Sequence, residues 1–171
     1  MSDTDLSELS DDDFRAKFAE LLTLAQNDRR ENQLLYYRPV SPTAMAVHES
    51  RAQVLGIGGG NRSGKSELQL LELVMAMTGV FPFSLKHLAR DKFRGPVNCR
   101  LVLESLTTTL HPTILPKLQF WKWNGTDKPG GERGHWGWIP KWCLMGGEWD
   151  KSWSEKLRTL TVLCRDPDDL S

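Results

Sequence analysis

Residues 54–67, VLGIGGGNRSGKSE, constrain this 171-residue chain more than any other stretch. A short apolar run enters a glycine-rich turn, and Gly59-Gly60-Asn61-Arg62-Ser63-Gly64-Lys65-Ser66 fits the spacing G-x-x-x-x-G-K-[ST]. Each position of that pattern has a physical task. Glycines admit backbone angles that turn successive N–H groups toward one point, and a helix starting there adds its positive dipole end to the same anion nest. In such a loop Lys65 reaches the β and γ phosphate oxygens, and the Ser66 hydroxyl ligates Mg²⁺. The flanks agree with this reading: Val54 to Gly58 is too short and too apolar for an exposed helix, and Lys65 to Thr78 carries helical periodicity through Leu68, Leu70, Leu71, Val74, Met75 and Met77.

The remaining segments were read against the same periods. Residues 11–28 put Phe14, Phe18, Leu21, Leu22 and Ala25 on one helical face, with Ser10 as a cap and acidic residues in the first turn, so a helix with one buried stripe is expected. YYRPVSP (36–42) is an extended connector, and a short helix capped by Ser41 follows. CRLVLES (99–105) and LRTLTVLC (157–164) read as strands, and 106–120 as a helix entered or broken near Pro112. Strands separated by helices imply an α/β fold with a mostly parallel sheet flanked by helices: a P-loop NTPase fold, incomplete, with an N-terminal helical extension over 1–35 and the P-loop domain over 36–171. All seven tryptophans lie within 120–153 and are expected to pack in a hairpin and loops.

Composition excludes several classes. Mean hydropathy is −0.43, the acidic N-terminus is unlike a signal or transit peptide, and no apolar run reaches bilayer length, so no membrane partner is expected. Cys99, Cys143 and Cys164 lack paired spacing, which fits a reducing cytoplasm and indicates neither a disulfide framework nor a zinc site. His48, His87, His111 and His135 lack metal-ligand spacing, and surface or capping roles are expected. The net charge of +0 hides segregation: residues 1–50 carry 10 acidic and 5 basic side chains, residues 51–165 carry 9 acidic and 17 basic. The basic middle, including Lys86, Arg90, Lys92 and Arg94, can attract polyanions or form a solvated loop.

With these flanks the chain resembles the N-terminal ATPase part of the phage large terminase subunit, the motor that drives DNA into procapsids. The resemblance rests on YYRPVSP, HESRAQVLGIGGGNRSGKSE, MTGVFPF and LVLESLTTTLHPTILPKLQFW, over roughly residues 35–125. It implies ATP and Mg²⁺ as cofactors, Lys65 and Arg62 as catalytic residues, Gly59 through Ser66 as the phosphate cradle, Ser66 as metal ligand and Tyr37 of Tyr37-x-Pro39 as an adenine-side residue. It further implies double-stranded DNA, a small terminase subunit and a portal as partners, a homo-oligomeric ring, and the host-cell cytoplasm. Two departures stand out. Ala44 occupies the place nearest the adenine-reading glutamine, and the chain stops at CRDPDDLS before the apolar Asp-Glu strand and the nuclease domain of such terminases, as a truncated product or fragment would. Glu104 and Asp166 are the nearest carboxylates to that missing pair, and a strand-end and a turn role are expected for them. The residues therefore admit an ATP-driven packaging motor or a nucleotide-binding module without turnover; a small-molecule kinase fits less well, because about fifty residues precede the loop.

Overall fold

The computed structural model describes residues 10–52, 54–58, 64–92, 95–122 and 134–166. Three helices carry the architecture: α1 (Asp11–Glu31), α2 (Pro42–Glu49) and α3 (Lys65–Thr78). Each begins on a local signal. Ser10 Oγ accepts the Asp13 N–H, Ser41 Oγ accepts the Ala44 N–H ahead of Pro42 in the first turn of α2, and α3 follows Gly64 in the left-handed region at φ 78°. Gly79, at φ 71°, ends α3 by donating its N–H to Met75 O at 2.9 Å.

The core forms on the inner face of α3. Leu70, Leu71, Val74 and Met75 pack with Leu34, Val80, Leu85, Leu110, Ile114, Leu118, Ile139, Cys143 and Leu144, all buried, and Trp138, Trp142, Trp149 and Trp153 close around them. Residues 83–92 form a 3-10 turn continued by one α-turn, and Leu106–Ile114 is a π-helical segment continued by Leu115–Leu118, with Pro112 inside it. A proline lacks the N–H that an α-turn would use, which fits the wider register there. Burial pushes the Cys143 thiol up to about 12, so it behaves as a small apolar side chain.

The expected mostly parallel sheet, and with it the P-loop NTPase fold, is overturned. Among the described residues the strands form two antiparallel pairs, β1 (Phe120–Lys122) with β2 (Gly134–Trp136), and β3 (Trp153–Ser154) with β4 (Thr159–Leu160). Residues 54–58 lie in no ladder, with Val54 89% exposed, and residues 99–105 run as exposed coil with Val102 82% exposed. The 157–164 run pairs piecemeal: Leu163 N donates to Cys143 O at 2.7 Å, and Leu144 faces Val162 in an antiparallel bridge. The physical reason is pairing cost and burial. Parallel strands need long crossovers and cover on both faces, whereas β3 and β4 close through a four-residue turn with Arg158 at φ 52°.

The buried stripe expected on α1 is corrected as well. The helix forms, but none of its residues is buried, and Phe14, Phe18, Leu21 and Leu22 remain 46–53% exposed. Its C-terminal end holds it to the body, where Arg30 Nη2 donates to Gly134 O at 3.0 Å. No single helix among the described residues is long and apolar enough to cross a membrane.

Close approach of β2 to the 115–118 turn makes one glycine indispensable. A Cβ on Gly137 would fall 2.3 Å from Leu118 C and 2.4 Å from its O, both backbone atoms that cannot rotate away. Gly137→Ala is expected to destabilise the protein by about 3 kcal/mol. Gly56→Ala, with nothing within 4 Å, should change the denaturation midpoint little. Equal midpoints for the two variants in urea would contradict this packing.

Candidate functional site

The head of α3 collects the chemistry. Gly64 carries no side chain to cap the helix, so the first-turn N–H groups receive no side-chain cap; Lys65 is half-buried and Ser66 exposed at that end. In the first turn Glu67 accepts from Lys117 Nζ at 2.5 Å and from the Trp138 indole N–H, which anchors the helix start to the segment leading into β1 and to the residues just after β2. Gly59, Gly60, Asn61, Arg62 and Ser63 lie outside the described residues.

Further along α3 sits a polar network across four chain segments. His48 is fully buried at the last turn of α2, its Nδ1 2.5 Å from Glu72 Oε1 and its Nε2 3.0 Å from the Tyr37 hydroxyl. Glu72 can only accept, so Nδ1 carries a hydrogen, and in the neutral imidazole the Tyr37 hydroxyl donates to Nε2. Lys92 completes the set, donating to Glu72 Oε2 at 2.7 Å and to His48 O at 2.5 Å. Burial by itself would raise the Glu72 pKa, but the hydrogen bonds from His48 and Lys92 outweigh it and hold the carboxyl below its usual range. Burial, with the charges of Glu67 and Glu72, pushes the Tyr37 hydroxyl up, which keeps it a proton donor to His48.

Tyr37 therefore stands at a junction. Its ring meets His48 and Trp138 edge-on at 5.5 and 5.9 Å, and its carbonyl accepts from Ser84 Oγ at 2.7 Å. Its outer edge borders a cleft of about 480 Å³ lined by Arg29, Gln33, Tyr36, Arg38 and Trp138. Ala44 is buried in α2 and turns its N–H to Ser41, away from any ligand, whereas Gln33 opens on the cleft.

Compared with protein-family profiles, curated proteins and solved structures, the chain matches none. The site's chemistry is thus read from its own residues. Glu104 sits exposed at a bend and Asp166 exposed near the end of the described residues, neither held in a strand. The described residues contain no group of three His, Cys, Asp or Glu side chains that could hold a metal ion. The solvated basic loop is corrected at Lys92, which is largely buried on Glu72, and Arg94 lies outside the described residues.

The surface or capping role expected of His48 is corrected, since its side chain is fully buried, and nothing in the sequence marks Glu72 as its partner or Lys92's. The three stand 24 and 20 residues apart with no spacing that marks them, and only the crossing of α2, α3 and the 89–92 turn joins them.

Because the Glu72 carboxyl is held below its unfolded range, its contribution is complete above that range and is lost as pH falls through the folded value. The wild type should lose stability on acidification toward pH 4 and below more steeply than Glu72→Gln, which has no proton to take up. Parallel acid limbs in thermal melts of the two would rule out this role for Glu72.

Proposed function

We propose that the chain binds Mg·ATP at the head of α3, as the nucleotide-binding part of a phage-type DNA-packaging ATPase. The observation that carries this reading is the Gly64 hinge: a left-handed glycine opens a 14-residue helix at Lys65-Ser66, at the end of the sequence pattern G-x-x-x-x-G-K-S. Phosphate binding of this kind depends on loop N–H groups and a helix dipole, and so does not require the parallel sheet that the fold lacks. Lys65 would sit against β and γ oxygens, and Ser66 would supply a hydroxyl to Mg²⁺; the ion would offset phosphate charge. Tyr37 and Trp138 border a cleft of a size for a base, and the bond from Trp138 to Glu67 ties that cleft to the phosphate end.

Binding without turnover is favoured over hydrolysis by one observation. Among the described residues Glu104 lies at an exposed bend outside any strand, and water alignment acts on the barrier, not on ground-state binding.

Titration calorimetry with Mg·ATP should give measurable binding for the wild type and at least a tenfold loss for Lys65→Ala. Equal affinities would remove the phosphate site from Lys65. In a phosphate-release assay with and without double-stranded DNA, the chain should hold ATP and release little phosphate. Steady turnover that Lys65→Ala abolishes, and that Arg62→Ala lowers without weakening ATP binding, would show that a catalytic carboxylate and an Arg62 transition-state contact are present after all.

A further inference from the structure

Two apolar features of the fold have no counterpart among the described residues. The first is the α1 stripe, Phe14, Phe18, Leu21 and Leu22, which follows the i, i+4, i+7 spacing of a helix that lies in a groove. The second is a groove of about 850 Å³ on the far side of the core, between residues 96–106 and the β3–β4 hairpin. Its floor is the buried trio Leu110, Ile114 and Leu118, and its walls are Leu101, Leu106 and Leu157, which stay 42%, 42% and 70% exposed. Exposed apolar surface of this extent marks an interaction site.

We propose that α1 of one copy docks, stripe inward, in this groove of a second copy, and that reciprocal exchange closes the pair as a dimer. Charge favours this occupant. Among the described residues the charged ones lining the groove are Arg100 and Arg158, and the first turn of α1 carries Asp11, Asp12 and Asp13 beside the stripe. Size agrees. From Phe14 to Leu22 the stripe extends about 12 Å along the helix, and the groove accepts several such anchors. The α1 side chains keep roughly 100 Å² each in water; doubled by exchange and with the groove walls added, the contact passes the ~1,200 Å² at which specific interfaces begin. The ties of α1 to the body, Arg30 on Gly134 O and the Tyr36 hydroxyl on Asp28, lie toward its C-terminal end, away from the stripe. An isolated helix of this length is marginal in water, and docking would supply the packing it lacks.

Sedimentation velocity over a concentration series tests the proposal. The wild type should dimerise reversibly. Leu21→Asp on α1 and Leu157→Asp on the groove wall alter exposed positions, so each should keep its circular dichroism and melting temperature but sediment as a monomer. An equimolar mixture of the two retains one intact stripe and one intact groove, and should recover a dimer about tenfold or more weaker than the wild type. Arg100→Glu should weaken association, and Asp12→Lys combined with it should restore part of the loss. A wild type that stays monomeric throughout would overturn the inference. So would a Leu157→Asp variant that dimerises as well as the wild type while Leu21→Asp does not, since that pattern would mean that α1 pairs with α1.

Discussion

Glu72 cannot leave water as a carboxylate unless cationic and N–H donors follow it, and its position on α3 makes that requirement structural. His48 and Lys92 answer it, so α2 and the 89–92 turn are drawn to one side of α3 by hydrogen bonds while Leu70, Leu71 and Val74 bury the other. A buried ion pair of this kind contributes little net stability but is costly to break, which suits a device that fixes geometry. Tyr37, bonded to the same imidazole, receives its place from it.

That geometry aims the start of α3. Glu67, held by Lys117 and Trp138, pins the first turn, so the helix carrying Lys65 and Ser66 is braced by two carboxylate clusters that meet at Tyr37. In P-loop proteins a parallel sheet does such bracing. Here side-chain networks and a tryptophan shell brace the helix instead, and among the described residues no strand forms at 54–58 or 99–105.

Apolar residues left in water set the rest of the molecule's character. Runs with strand-like composition, such as Leu101-Val102-Leu103, were read as paired because β-branched and leucine-rich alternation normally seeks a ladder. Composition states a preference for burial without naming the surface that provides it. The same holds for α1, whose 3.6-residue period correctly predicts a helix yet says nothing of a partner inside the chain.

What the sequence determined by itself is local: the start of α1 at Ser10, of α2 at Ser41 and Pro42, and both ends of α3 at Gly64 and Gly79. Caps, left-handed glycines and helical periods act within about four residues, so they can be read along the chain. Only the tertiary structure decided that His48, Glu72 and Lys92 meet, that Tyr37 joins them, and that the strands predicted at 54–58 and 99–105 stay unpaired. Those outcomes depend on which segments, tens of residues apart, pack against α3, and the free energy of such contacts depends on burial and geometry that no short spacing encodes.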